Sequence, residues 1–191
     1  MQENFNNDIK QCLRVLQEGG IILYPTDTIW GIGCDATNQQ AVQKIFTLKQ
    51  REDSKTMIIL ISEQIDIETY VTNPAPEIKN YTSNTTRPVT AIYKNGKNVA
   101  AGLISGDGTI AIRITKDEFC SALINKYTKP LVSTSANISG RPAPANFSDI
   151  DINIKKGVDY IVQHRRSDFR VAKPSVIIKL NEDRKIIVVR S

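Results

Sequence analysis

Hydrophobic residues recur along the chain in helix-like and strand-like spacings. Apolar side chains three and four residues apart predict a first helix over residues 8–18, which Gly19 and Gly20 end. A second helix is predicted to begin after Asn38, because asparagine caps helix N-termini well. Its apolar stripe consists of Ala41, Val42, Ile45, Phe46 and Leu48. Uninterrupted apolar runs at residues 21–24 and 57–61 are typical of short buried strands.

The second half of the chain is richer in strand patterns. Strands are predicted at residues 89–93, 109–114, 131–132, 158–162, 175–180 and 185–190. Thr115-Lys116-Asp117-Glu118 matches a capping box and predicts a helix start, and short helices are predicted at 65–70, at 76–81 and after Ser148. Helices and strands that alternate early, followed mostly by strands, predict a single α/β domain over residues 1–191, built on a mixed β-sheet.

The segment 109–114 alternates in polarity, which predicts the two faces of its strand. Its isoleucines occupy one face, and the other face carries Thr109, Ala111 and Arg113. We expect helices to bury the isoleucines. Arg113 stands among small residues, which is unusual for a solvated arginine and suits a carboxylate partner.

Composition narrows the chemistry. The 191 residues carry a formal net charge of +5 and no apolar run approaching the roughly 18 residues of a membrane span. No signal peptide is recognisable, so we expect a cytoplasmic protein. The single histidine, His164, argues against a histidine-based triad or a histidine-rich metal site. The three scattered cysteines, Cys12, Cys34 and Cys120, are expected to be reduced thiols.

Small polar side chains follow two of the predicted strands. Thr26-Asp27-Thr28 is separated from the run at 21–24 only by Pro25, and Ser133-Thr134-Ser135-Ala136-Asn137 follows the run at 131–132. Either segment can be a turn whose side chains satisfy its own backbone. The alternative is a small-molecule site at the carboxyl ends of strands, where open α/β sheets bind ligands. The occurrence of two such segments favours a shared pocket.

Cationic residues near the end of the second helix allow two interpretations. Lys49, Arg51 and Lys55 lie there, and solvated cations at a helix end suit the helix dipole. The other interpretation is a phosphate clamp, in which Arg51 offers a planar fork and the lysines act as point charges. Gly31-Ile32-Gly33-Cys34-Asp35-Ala36 fits a loose dinucleotide fingerprint. A polar loop precedes it and the helix starts too late, so no Rossmann site is expected.

Five motifs follow one another in a characteristic order. They are Tyr24-Pro25-Thr26-Asp27-Thr28 with Gly31 and Gly33, Lys49-x-Arg51, Arg87-Pro88-Val89-Thr90, Ile112-Arg113, and Ser133-x-Ser135-Ala136-Asn137-x-Ser139-Gly140. This order resembles the YrdC/TsaC family of threonylcarbamoyl-AMP synthases, which act in tRNA modification. The resemblance spans residues 21–190. It implies a twisted mixed β-sheet flanked by helices around a large, positively charged cavity.

The resemblance also implies a reaction and its substrates. L-Threonine, bicarbonate and ATP would give L-threonylcarbamoyladenylate and pyrophosphate. A separate tRNA-modifying transferase complex would then move the threonylcarbamoyl group to an adenosine beside the anticodon. No tightly bound cofactor and no dedicated metal site are implied, and Mg²⁺ is expected with ATP. Direct binding of tRNA or double-stranded RNA is left open, and no membrane contact is implied.

By position, the resemblance assigns roles to individual residues. L-Threonine would be held by Thr28, Arg113, Ser135 and Ser175. ATP would be held by Arg51, Lys55, Thr109, Ser133, Ala143 through its backbone, and Arg190. The reacting centre would contain Lys49, Arg51, Ser135 and Asn137.

Two other functions remain open from the sequence. One is a non-catalytic RNA-binding module, with a basic loop as its candidate surface, although we expect that loop to lack the interleaved exposed aromatics typical of base stacking. The loop carries His164, Arg165, Arg166, Arg170 and Lys173. The other is a YrdC-like paralogue of altered activity, because such relatives keep the fold and much of the pocket.

Overall fold

Nine strands among the described residues form one mixed sheet. The computed structural model describes residues 5–51, 57–63, 65, 67–169 and 174–190. Its strands are β1 (Ile22–Tyr24), β2 (Gly31–Gly33), β3 (Ile58–Ile61), β4 (Val89–Tyr93), β5 (Ile110–Ile114), β6 (Leu131–Ser135), β7 (Tyr160–Ile161), β8 (Val176–Leu180) and β9 (Ile186–Arg190).

The strands follow the order β7-β1-β2-β6-β3-β5-β4-β8-β9 across the sheet. Neighbours are parallel in the pairs β1/β7, β3/β5 and β4/β8. The remaining neighbours are antiparallel. The predicted mixed sheet is therefore confirmed.

The short strand β2 was not predicted from the sequence. Gly-Ile-Gly has little intrinsic preference for a strand, but it pairs with β1 on one side and with β6 on the other. Pairing with these neighbours therefore decides its conformation. Gly33 also permits a close approach, because a Cβ there would lie 2.5 Å from the carbonyl oxygen of Val132 and 2.6 Å from Cε1 of Tyr24.

Helices cover both faces of the sheet. They are α1 (Asn6–Gln17), α2 (Gln39–Lys49), α3 (Pro76–Ser83), α4 (Glu118–Tyr127) and α5 (Ile152–Lys156), with 3-10 helices at Ile67–Thr69 and Ala101–Leu103. On one face, α1 and α4 bury an apolar cluster that includes Tyr24 and Leu60. On the other face, α2, α3 and α5 contribute to a larger cluster that includes Ile59 and Ile112. None of the helices in the described part of the chain is both long and apolar enough to cross a membrane.

Two predicted helix caps have different outcomes. Asn38 caps α2 as predicted, since its Oδ1 accepts a hydrogen bond from the backbone N–H of Gln40 at 3.0 Å. Helix α4 is capped by Asp117, whose Oδ1 accepts from the backbone N–H of Cys120 at 2.9 Å. The capping-box pattern would place the cap at Thr115. Thr115 and Asp117 can both accept the capping hydrogen bond, and the sequence pattern does not show which of them does. The predicted start of α4 was therefore wrong by two residues.

Strand register places several polar side chains on the face that carries α1 and α4. Side chains alternate along a strand, and residues that pair across neighbouring strands share a face. Ile58 pairs with Ser133, and Leu60 pairs with Arg113. Because Leu60 belongs to the cluster under α1 and α4, Ser133, Arg113 and the next alternate residue, Ser135, lie on that same face.

The opposite face of β5 is apolar, as its alternation predicts. Ile110 and Ile112 are buried in the larger cluster, and Ile114 is partly buried against it. Arg113 therefore projects from a strand whose other side is anchored in the core.

Candidate active site

The segment after β1 is a turn that satisfies part of its own backbone. The backbone N–H of Thr28 donates to Oγ1 of Thr26 at 3.0 Å, and that hydroxyl donates to the carbonyl of Ile29 at 2.9 Å. The self-satisfied turn considered from the sequence is therefore correct for Thr26. Thr28 behaves differently, because its hydroxyl accepts a hydrogen bond from outside the turn.

That outside donor is Arg113 on β5. Its NH1 group donates to Oγ1 of Thr28 at 3.0 Å, and its NH2 group lies 3.2 Å from Oδ1 of Asp27. Arg113 is 2% exposed, and within the described residues its Nε has no hydrogen-bond partner. Burial raises the pKa of Asp27, although the charge of Arg113 acts in the opposite direction. Arg113, although paired with Asp27, thus keeps one buried donor, its Nε–H group, that an anionic ligand can bind.

Strand β6 extends farther than predicted and carries its hydroxyl groups in the sheet. Ser133, Thr134 and Ser135 belong to the strand, and Ser135 pairs with Gly31 of β2. The interpretation of this segment as a self-capping turn is therefore wrong. A Cβ on Gly31 would lie 3.4 Å from Oγ of Ser133, so glycine keeps the space beside that hydroxyl open.

Lys49 lies at the end of α2 and is buried. Its ammonium group donates to the carbonyl of Ser135 and, at 2.6 Å, to the carbonyl of Asn137. The solvated-cation interpretation is therefore wrong for this residue. Burial, together with the nearby charge of Arg51, lowers the pKa of Lys49 to about 7. Lys49 consequently ties the C-terminal end of α2 to the end of β6.

Asn137 presents an open acceptor in the same region. Its Nδ2 group donates to the carbonyls of Ile138 at 3.1 Å and Arg141 at 2.5 Å. Two carbonyl acceptors fix the orientation of the amide, because only the nitrogen can donate to them. The amide oxygen is buried and accepts no hydrogen bond from the described residues. A ligand N–H group would satisfy it.

The remaining predicted site residues occupy other places. Ser175 is buried before β8, with its Oγ 2.8 Å from Oγ1 of Thr90, and Arg190 donates to the Ser175 carbonyl at 3.0 Å. Arg51 is half-buried. In the described part of the chain, no hydrogen bond joins Thr109 or Ala143 to another predicted site residue. Lys55 lies outside the described residues.

A pocket of about 230 Å³ lies at the segment after β1. Its lining includes Thr26, Asp27, Thr28, Trp30 and Arg165. The sequence placed Asp27 in a polar loop without a role, and it placed Arg165 in the basic loop. Arg165 is 139 positions from the carbonyl of Thr26 that it contacts, so no local spacing could reveal this relation.

The basic loop is largely committed to internal contacts. Arg165 donates to Oδ2 of Asp117, and Arg166 donates to the backbone carbonyls of Ile161 and Val162. The His164 ring stacks on Phe119. Arg170 and Lys173 lie outside the described residues. The two arginines in the described half of this loop are therefore engaged within the protein. Phe169 in the same segment is 68% exposed, so the expectation that the loop lacks an exposed aromatic residue is wrong.

Comparison with known proteins settles the family. Residues 14–191 match the family model for Sua5, YciO and YrdC proteins, which is described as Telomere recombination. The chain belongs to the Sua5/YciO/YrdC family. A protein of Idiomarina loihiensis named threonylcarbamoyl-AMP synthase is 36% identical over 162 residues, which are 83% of this chain and 86% of that protein.

Two solved structures of Sua5/YciO/YrdC proteins have the same fold. E. coli YciO matches with a TM-score of 0.81 at 26% identity, over 97% of this chain and 89% of that one. A variant of P. abyssi Sua5 matches with a TM-score of 0.86 at 25% identity, over 95% of this chain. This chain spans 55% of the length of that Sua5 chain. The predicted family and the helix-flanked mixed sheet are confirmed, and the positive charge of the cavity stays a prediction.

The donor groups of this Sua5/YciO/YrdC member suit anions better than a resident metal. Among the described residues, no three histidine, cysteine, aspartate or glutamate side chains are grouped to hold a metal ion. The buried or half-buried groups around the two strand ends are guanidinium, ammonium, hydroxyl and amide groups, together with the carboxylate of Asp27, which pairs with Arg113. Guanidinium, ammonium, hydroxyl and amide groups bind carboxylates and phosphates.

Proposed function

We propose that this protein is an L-threonylcarbamoyladenylate synthase, which forms threonylcarbamoyl-AMP and pyrophosphate from L-threonine, bicarbonate and ATP. The observation that carries the proposal is the buried contact between Arg113 and Thr28, on the same sheet face as Ser133 and Ser135. A relative from Idiomarina loihiensis that covers most of this chain bears the name of that activity.

L-Threonine fits the donors at the end of β1. Arg113 would pair with the amino acid carboxylate, which supplies the partner that its buried Nε lacks. The hydroxyls of Thr28, Ser135 and Ser175 would hydrogen-bond the amino acid. Ser175 would either break its hydrogen bond with Thr90 or accept that bond from Thr90 and donate its own hydroxyl hydrogen to the amino acid.

ATP would bind to the cationic and hydroxyl groups that lie nearer to α2 and to the sheet edge. These groups are Arg51, Lys55, Thr109, Ser133, the backbone at Ala143, and Arg190. Mg²⁺ is expected to enter with the triphosphate and, as a cation, to neutralise part of its charge. The described residues offer no acidic cluster as a separate site for it.

The reaction requires positioning and charge stabilisation more than proton transfer by a histidine. The amine of threonine adds to bicarbonate with loss of water, and an oxygen of the resulting carbamate attacks the α-phosphorus of ATP as pyrophosphate leaves. Arg51 would stabilise negative charge on the phosphates. Lys49 would hold the backbone of Ser135 and Asn137 in place, and the open amide oxygen of Asn137 would accept the carbamate N–H.

The product is a reactive mixed anhydride, which suits immediate use by a separate tRNA-modifying transferase complex. Direct binding of tRNA or double-stranded RNA stays a secondary proposal. Arg165 and Arg166, which would have contributed to it, already bind groups within the protein.

The experiment is an omission assay of pyrophosphate release. We expect release only when ATP, L-threonine and bicarbonate are all present. A paralogue that only binds ATP would release none, and an enzyme for another amino acid would not depend on threonine. Arg184→Ala is a matched control, since this exposed arginine pairs with Glu77 outside the proposed site and its loss should leave release unchanged.

A further inference from the structure

The turn after β7 carries an arginine in an uncommon backbone conformation. Arg165 has a φ of 62°, in the left-handed region that long side chains rarely adopt. A residue keeps this backbone conformation only where surrounding contacts stabilise it. For Arg165, the contacts of its own side chain provide this stabilisation.

The Arg165 guanidinium lies between three partners from different parts of the chain. NH1 donates to Oδ2 of Asp117 at 2.6 Å, and NH2 donates to the carbonyl oxygen of Thr26 at 2.8 Å. Nε lies 3.6 Å from Oδ2 of Asp168. The planar fork therefore joins the N-cap residue of α4 to the backbone of the segment after β1.

Helix α4 holds the same segment at a second point. Asp117 caps the helix through its other oxygen, which accepts from the backbone N–H of Cys120. The thiol of Cys120 in turn donates to the carbonyl oxygen of Pro25 at 3.4 Å. Two successive carbonyls, those of Pro25 and Thr26, are thus held by groups anchored at the start of α4.

These contacts lead directly to the hydroxyl that Arg113 binds. The Thr26 side chain hydrogen-bonds the backbone N–H of Thr28, and the two threonine hydroxyls lie 2.9 Å apart. Arg113 then donates to Thr28. The Thr26–Thr28 pair is therefore held between two arginines: Arg165 binds the backbone carbonyl of Thr26, and Arg113 binds the hydroxyl of Thr28.

We propose that Arg165, held by Asp117, is a positioning residue that fixes the 26–28 segment for recognition of the amino acid substrate. The inference rests on the proposed function, because it takes threonine as the ligand of Thr28 and Arg113. It assigns Arg165 no contact with ATP. Loss of the contact between Arg165 and Asp117 should therefore change the KM for threonine more than the KM for ATP.

The test uses two variants that break the pair from opposite sides. Asp117→Asn keeps an N-cap acceptor for α4 but removes the charged acceptor of Arg165. Arg165→Gln removes the fork. In both variants the KM for L-threonine should rise on the order of tenfold, which is the usual effect of losing a hydrogen bond to a charged group, while the KM for ATP stays within about twofold. Arg165→Lys, which keeps one charged donor, should recover part of the loss.

Arg166→Gln is the matched control. Arg166 is the neighbouring arginine in the same turn, but it donates to carbonyls of its own turn and strand and lies over the Phe147 ring. This variant should leave both KM values within about twofold. Equal changes in the KM for threonine and the KM for ATP in the Arg165→Gln variant, or a fall in kcat alone, would reduce Arg165 to a structural role and overturn the proposal.

Amide hydrogen exchange without ligands provides a readout that does not need the reaction. The Thr28 amide, which donates to Thr26, should exchange about tenfold faster in Asp117→Asn than in the wild type. If the wild type lacks threonine-dependent turnover, the proposed function fails, and faster Thr28 exchange still supports the positioning role. If the wild type turns over but both the Thr28 exchange and the KM for threonine are unchanged in the variant, the positioning role fails.

Discussion

Replacing Lys49 with methionine isolates the cost of burying an amine at the end of α2. Lys49 is 1% exposed, and its pKa falls from 10.5 to about 7 because the charged form is desolvated. At 1.36 kcal/mol for each pKa unit, this fall corresponds to about 5 kcal/mol of unfavourable burial at low pH. Methionine has a similar length and carries no proton, so it removes this dependence on pH.

The sign of the effect follows from the direction of the pKa change. Below pH 7 the amine is charged in both the folded and unfolded states, and the whole cost is present. Between pH 7 and the unfolded-state pKa of 10.5, the unfolded state binds more protons than the folded state, so the stability of the wild type rises with pH. From pH 7 to pH 9, the wild type should gain about 2 kcal/mol relative to Lys49→Met.

The assay is urea unfolding at several pH values, followed by the fluorescence of Trp30, the only tryptophan of the chain. The variant also loses hydrogen bonds to two carbonyls, which shifts its whole curve. The difference between ammonium and amine as donors to these carbonyls is part of the folded-state pKa and so belongs to the predicted pH dependence. Lys44→Met is the control, because Lys44 is exposed on the same helix, and its stability profile should run parallel to the wild type. If Lys49→Met also runs parallel to the wild type, the amine stays charged in the fold and the reasoning is refuted.

Further changes to the protein and to the substrate test other parts of the account. Arg51→Ala should raise the KM for ATP roughly tenfold to a hundredfold in steady-state pyrophosphate release, whereas Arg113→Ala should instead raise the KM for threonine. L-2-Aminobutyrate, which lacks the hydroxyl, should react far more slowly than L-serine, which lacks only the methyl group; equal rates would show that no site group bonds the hydroxyl. Gly33→Ala should lower the free energy of unfolding by about 1–3 kcal/mol or more because its Cβ meets Val132 and Tyr24, while Gly106→Ala, with nothing within 4 Å, should not.

Local patterns predicted the elements better than their pairing. The alternation around Arg113 gave the correct faces of β5, because its isoleucines had to reach a core. Strand β2 was missed because its backbone becomes extended only between β1 and β6, a partnership that no local preference encodes. The strand predicted at residues 131–132 was too short for the same reason, because Ser133 to Ser135 continue β6 across from β2.

The burial of Lys49 could have been predicted from its position in the sequence. It lies four residues after Ile45 and seven after Val42, so it falls on the buried stripe of α2. Its charge suggested a solvated helix end, but its position on that stripe indicates burial. By contrast, the contacts of Arg165 with Thr26 and Asp117 depend on the folded arrangement of three separate segments, and spacing along the chain carries no trace of them.

The central claim is tested most directly by the origin of the carbonyl carbon in the product. The wild-type protein should be incubated with ATP, L-threonine and ¹³C-labelled bicarbonate, and the nucleotide products analysed at once by mass spectrometry. The account predicts a threonylcarbamoyl-AMP species that is one mass unit heavier than with unlabelled bicarbonate, with pyrophosphate formed in equal amount. A nucleotide product whose mass does not respond to the label, or hydrolysis of ATP without any threonine adduct, would contradict it.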